Sequence, residues 1–307
     1  MSYKKEKLMY TLKAYGSEDV FNMEFDSLEA ANASINQIKA LPVNSYSDTG
    51  FVAQASAEQG GTAFHFTGYF VSFSTPSQLS DVSGTIQTIK KYDASSTLVF
   101  EETWSQGISL ENFLQSENEN LYDGNDRFIG SFDQPVQDEV RGFEGNDRFQ
   151  GNGGEGEEMD HFYGGNGIDT AIYRGNFSEY TIETASFTDE RLDNGTLVSG
   201  TVVRDNHEQR DGSDALLNVE RLEFADKKVA LDIDNGHAGQ TAKILGAVFG
   251  ADAVTNQEYA GIGLHYLDNG WPYEQLMGTA LETALGQNAS NEDVVTLLYE
   301  NLTQTSI

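Results

Sequence analysis

Five aspartates between positions 126 and 169 share one context, in which the second residue after each is apolar. Asp126-Arg-Phe128, Asp138-Glu-Val140, Asp147-Arg-Phe149, Asp160-His-Phe162 and Asp169-Thr-Ala171 fall into register at spacings of 12, 9, 13 and 9 residues. The period is nine, interrupted by insertions of three and four residues. Glycine and asparagine fill the loops before the first, third and fifth aspartates, as Gly124-Asn125-Asp126, Gly145-Asn146-Asp147 and Gly165-Asn-Gly167-Ile-Asp169. A single such triplet would mark only a turn. Its repetition points to a hard cation: calcium takes six to eight oxygen ligands, which one carboxylate per loop plus backbone carbonyls can supply. Glycine permits the positive φ and close approach that such carbonyl-lined loops require.

The two cleanest copies, GFEGNDRFQ (142–150) and GGNGIDTAI (164–172), fit the nonapeptide G-G-x-G-x-D-x-U-x, in which U is a bulky apolar residue. Phe143 stands where the second glycine belongs, and Ala171 occupies the U position. Each copy predicts a loop followed by a short strand whose U side chain points inward, so Phe128, Val140, Phe149 and Phe162 form an interior stack. Consecutive loops of such a coil lie on opposite edges. Asp126, Asp147 and Asp169 therefore share one edge, Asp138 and Asp160 the other. Only the first edge keeps the glycine two residues before the aspartate, so it is expected to hold about two ions, between three stacked loops. The second edge, which carries both insertions, is expected mainly to supply strands. Twelve acids face three arginines between 121 and 170. Self-repulsion should keep the segment loose until a cation fills it, so binding and folding are coupled.

These nonapeptides resemble the RTX (hemolysin-type) calcium-binding repeats of proteins exported by type I secretion. AIYRGNFSEYTIE and RDGSDALLNVERLEFADKKVALD (210–232) resemble the strand-rich tail that follows such repeats. GHAGQTAKILGAVFG and NEDVVTLLYENL resemble a helical domain often appended to them. The resemblance covers about 120–307 and implies an extracellular protein, exported unfolded by the type I machinery on an uncleaved C-terminal signal. It also implies folding on Ca2+ outside the cell. A glycan or protein partner there is left open.

Around the ladder the text divides into four segments. Residues 1–116 read as a β-rich α+β domain, with strands at Leu8–Tyr15 and Val20–Phe25 and a helix through Ile38 capped by Asp26 or Ser27. TAFHFTGYFVSF, SGTIQTIKKYD and STLVFEETW are aromatic and β-branched, as strands are. The calcium roll spans 117–175, a post-roll β segment 176–234, and a four-helix unit 235–307, in which Ser290 is an N-cap with Glu292 and Asp293 in the first turn. The expected fold class is thus multidomain and mainly β: an N-terminal β-rich (α+β) domain, a short parallel β-roll, a strand-rich segment and a small C-terminal α-helical domain.

Composition narrows the function. The 307 residues carry a formal net charge of −31, which repels nucleic acid and anionic membranes and attracts cations. The absence of cysteine excludes disulfides and thiolate-ligated zinc. No apolar run reaches membrane-span length, and Met1–Gly16 lacks the apolar core of a cleaved signal peptide. H-E-x-x-H, G-x-S-x-G and the P-loop are absent, and the five histidines are scattered. Phe64, Phe66, Tyr69 and Phe70 read as core rather than as an aromatic binding patch. Asp205, Asp211 and Asp214 read as turn formers, with a calcium contact as the lesser reading. The expectation is a non-catalytic calcium-binding protein acting as an adhesin, matrix or cell-surface component. An exoenzyme or small toxin with an unrecognised N-terminal active domain is the alternative.

Overall fold

A computed structural model of the chain describes residues 10–14, 43–47, 49–54, 63–71, 82–92, 98–110, 124–129, 139–151, 159–189, 196–207 and 210–305. The strands are β1 (Tyr10–Ala14), β2 (Val43–Ser47), β3 (Gly50–Gln54), β4 (Ala63–Val71), β5 (Ser83–Tyr92), β6 (Leu98–Ser109), β7 (Arg127–Ile129), β8 (Glu139–Arg141), β9 (Arg148–Gln150), β10 (Asp160–Tyr163), β11 (Thr170–Ile172), β12 (Tyr180–Asp189), β13 (Thr196–Asp205), β14 (Ser213–Leu217), β15 (Arg221–Glu223) and β16 (Lys228–Ala230). Four helices follow: α1 (His237–Phe249), α2 (Gln257–Asp268), α3 (Tyr273–Leu285) and α4 (Asn291–Thr303). The fold is therefore mixed α and β, and "mainly β" is too narrow a description. The expected strand Val20–Phe25 and the expected helix through Ile38 lie outside the described residues, as does Asp138.

The chain divides into two compact units, Met1–Lys228 and Val229–Ile307. In the first, β2 to β6 form an antiparallel meander, which brings the aromatic text of β4 against β5. Phe66 and Phe70 are buried there with Ile86 and Ile89, whereas Tyr69 is exposed. β1 pairs antiparallel with β6 and parallel with β7, placing Leu12 opposite Phe128. One sheet thus runs without a break from the N-terminal strands into the repeat segment.

The repeat strands alternate between two sheets. β7, β9, β11 and β15 pair in parallel within the large sheet, and β8, β10 and β14 do so within the five-stranded sheet. Successive nine-residue units therefore cross from one sheet to the other, and units two apart stack. The interior holds the U residues: Phe128, Val140, Phe149, Phe162, Ala171, Leu216 and Leu222 are all buried. The rings of Phe128, Phe149 and Phe162 stack at 5.3 Å between successive centroids, a dispersion-rich column between two thin sheets.

After Ile172 the coil is interrupted by the long β12–β13 hairpin, which pairs antiparallel with β14 on the edge of the five-stranded sheet. It then resumes. Asp160 lies opposite Asp214 and Phe162 opposite Leu216, while Thr170 and Ala171 lie opposite Arg221 and Leu222. Asp214-Ala-Leu216 and Glu220-Arg-Leu222 are two further rungs, so the roll extends well past residue 175.

In the second unit, Ile244, Val248, Leu267, Leu276 and Ala280 form the core. Ser290 caps α4 as expected, its hydroxyl accepting from the Asp293 N–H while the Asp293 carboxylate accepts from the Ser290 N–H. The Ser290 hydroxyl, donating to Asp293 Oδ2 at 2.7 Å, and then the Ser290 N–H hold the Asp293 carboxyl below its ordinary range.

Candidate calcium site

The first edge is a column of acids joined rung to rung. Asp147 Oδ1 accepts the Asp126 N–H at 2.8 Å, Asp169 Oδ1 accepts the Asp147 N–H at 2.8 Å, and Glu220 Oε2 accepts the Asp169 N–H at 2.9 Å. The aspartates' own carbonyls are engaged in the strand ladder, accepting from Arg148, Thr170 and Arg221. A second column runs outside it: Asn125 Oδ1 accepts the Asn146 N–H, and Asn146 Oδ1 accepts the Ile168 N–H. Asp169 spends Oδ1 on the neighbouring rung. Asp126, Asp147 and Asp169 are buried, and Asp169 Oδ2 accepts no hydrogen bond.

The loop glycines are required by close backbone approach. A β-carbon on Gly145 would lie 1.7 Å from the Gly124 carbonyl oxygen, and one on Gly167 would lie 1.6 Å from the Gly145 oxygen. Gly145, Gly165 and Gly167 all have positive φ. Phe143, aligned with Gly165, is itself at φ 66°, so this loop accepts a left-handed non-glycine residue to preserve its shape.

Two glycines outline the cradles. A β-carbon on Gly142 would lie 1.9 Å from Asp147 Oδ2 and 2.5 Å from the Gly164 carbonyl oxygen. One on Gly164 would lie 2.3 Å from Asp169 Oδ2 and 1.9 Å from the Asn218 carbonyl oxygen. At each of these two glycines a carboxylate oxygen and a carbonyl of the next stacked loop thus approach the same point of the backbone.

The second edge is built from different parts. Asp160, at the start of β10, is fully buried, and so is its neighbour in register, Asp214. A β-carbon on Gly151 would lie 2.2 Å from Asp160 Oδ2 and 3.2 Å from Asp214 Oδ1. Asp160 is therefore a strand residue beside a second carboxylate, on the edge expected mainly to supply strands. Asp205 and Asp211 take another course. Asp205 binds Arg210 through both oxygens, at 2.6 and 2.7 Å, while Asp211 accepts from Arg174 Nε and from the Tyr180 hydroxyl. These two aspartates are neutralised by arginine, and only Asp214 of the three joins a rung.

Electrostatics separates the rungs from such ion pairs. Burial pushes the Asp169 carboxyl up to about 7; the Asp147 N–H opposes this, and the nearby Glu220 adds to the rise. At Asp205 burial also pushes upward, but the Arg210 hydrogen bonds win and hold the carboxyl below its ordinary value. The donor set suits a hard cation: carboxylate and carbonyl oxygens, no sulfur, and loops shaped by glycine. Among the described residues, no three His, Cys, Asp or Glu side chains converge on one point. Any ion here would draw its ligands mostly from backbone, one acid per loop.

Asp214 and Glu220 were the rungs missed by spacing, although both carry the acid-x-apolar signature. The hairpin displaces them by dozens of residues from Asp169, beyond the reach of a nine-residue period. No family model, curated protein or solved structure matches this chain. Among the described residues, no helix is long and apolar enough to cross a membrane.

Proposed function

We propose that this chain is a calcium-binding protein of the RTX type, secreted and non-catalytic, whose stacked loops order when calcium fills the recesses beside Asp147 and Asp169. The observation that carries the reading is the acid column itself. Buried carboxylates from successive rungs are each tied to the next rung by one oxygen, and Asp169 Oδ2 is left facing a carbonyl of the neighbouring loop. Stacking such charges away from water is unfavourable without a counter-ion, and a divalent cation between the loops supplies it.

In this reading Asp126, Asp147 and Asp169 contribute charge, and Gly142, Gly164 and Asn218 shape the recesses or lend carbonyls. Gly124, Asn125, Gly145, Asn146, Gly165 and Gly167 hold the loops in stacking register. Asp160 and Asp214 form a further candidate on the second edge, and Asp138 completes the sequence set. Loops of this kind bind in the range of extracellular calcium, which fits export before folding and a role as an adhesin, matrix or surface component.

Circular dichroism of the full chain in chelator and in calcium tests the proposal. Calcium is expected to add β signal and sharpen the unfolding transition. A chain fully folded in chelator and indifferent to millimolar calcium would overturn it.

A further inference from the structure

The last helix is apolar over a wide face. Leu297 and Leu298 pack against the core of the helical unit, yet no residue of α4 is fully buried. Val295, Tyr299 and Leu302 remain 65%, 48% and 70% exposed. Their spacing of four and three residues places them on one stripe of the helix, bordered by Leu298, three residues after Val295 and four before Leu302. The apolar face of α4 is thus wider than the part that packs on its own bundle.

Other exposed apolar side chains stand on the neighbouring helices. Asn301 Nδ2 donates to the Ala247 and Val248 carbonyls at 3.0 and 2.8 Å, joining the last turn of α4 to the last turn of α1. Phe249 stands at that junction, partly exposed, with its ring 5.9 Å from that of Tyr259, and Ile262 follows one turn along α2. Exposed apolar side chains thus stand on α1, α2 and α4, and α1 packs against both of the others.

Charge selects the occupant. Val229–Ile307 holds ten acids and a single lysine, Lys243, and α4 itself carries Glu292, Asp293 and Glu300 with no basic residue. A second copy would bring the same acids to the contact, and an anionic bilayer would be repelled. We infer that the Val295–Tyr299–Leu302 face docks a cationic amphipathic helix of a partner protein, its apolar side on the stripe and its basic flanks toward the surrounding acids.

A labelled synthetic peptide with leucines at i, i+3, i+4 and i+7 and lysines elsewhere is the probe, titrated against the calcium-loaded full chain at physiological salt and followed by anisotropy. The charge-preserving variant Val295→Ser/Leu302→Ser is expected to bind at least roughly tenfold more weakly than the native chain, and the peptide with glutamates for lysines not to bind. Both substitutions are at exposed positions, and a circular-dichroism melt verifies the fold. Equal binding by the native chain and the variant would show charge attraction alone and overturn the inference. So would no binding, equal binding of the glutamate peptide, association with anionic vesicles, or self-association in sedimentation that the variant abolishes.

Discussion

Asp147→Asn should change the stability of this protein in opposite directions with and without calcium. Asp147 is the central acid of its column, fully buried, with Oδ1 accepting the Asp126 N–H and its own N–H donating to Asp169. Asparagine keeps an oxygen for the first bond and leaves the second untouched, so the change removes charge and little else. Asp169, the next rung, gauges what such a charge costs with no cation to offset it: its carboxyl is raised from 3.8 to about 7, roughly three pK units, or about 4 kcal/mol against the ionised form at neutral pH. Asp147→Asn should therefore stabilise the metal-free chain, by on the order of 2 kcal/mol once relaxation is allowed for. With calcium the same change removes a charged ligand. If the affinity falls about 1,000-fold, a concentration that supplied about 4.1 kcal/mol supplies only about 0.4; that loss of about 3.7 kcal/mol exceeds the gain of about 2, so the variant becomes less stable than the native chain by about 2 kcal/mol. Urea unfolding followed by circular dichroism, in chelator and in calcium, measures both signs. A midpoint lowered equally in the two conditions would refute the reasoning, because Asp147 would then be only a hydrogen-bond acceptor.

Three further outcomes follow from the same geometry. Because the folded pKa of Asp169 lies above its unfolded value, the folded metal-free chain holds more protons between about 4 and 7, and its stability should fall as pH rises through that window; urea midpoints at pH 5 and pH 8 in chelator check the direction. Gly167→Ala should destabilise by about 3 kcal/mol in either condition, since the residue has positive φ and its β-carbon would lie 1.6 Å from the Gly145 oxygen; a thermal melt reads it. Asp214→Asn should weaken calcium binding without abolishing it, leaving the first-edge sites intact, whereas an unchanged calorimetric stoichiometry would remove the second edge from the account.

The stacking order, the inward U side chains and the sharing of an edge by Asp126, Asp147 and Asp169 were all legible in the sequence. Each depends on a local period, and a period of nine with alternating sheets leaves one arrangement. The later strands were less legible. Asp214 and Glu220 repeat the same signature, but the β12–β13 hairpin separates them from the ladder, and strand pairing across an insertion is decided by hydrogen bonds the sequence does not display. The role of Asp160 was hidden for the same reason, since its neighbour Asp214 is distant in sequence. At the N-terminal side, nothing in TLKA announces that β1 pairs in parallel with β7 and joins the meander to the roll. The helices were clear because capping and apolar spacing are local; that α4 keeps part of its apolar face exposed depends on tertiary packing.

Calorimetric titration of calcium into the metal-free full chain tests the central claim most directly. At least two ions should bind per chain, with heat that includes ordering of the roll, and magnesium should not substitute, because it dehydrates reluctantly and demands a stricter octahedron. The absence of calcium binding up to millimolar concentration, or an isotherm unchanged in the Asp126→Asn/Asp147→Asn/Asp169→Asn variant, would contradict it.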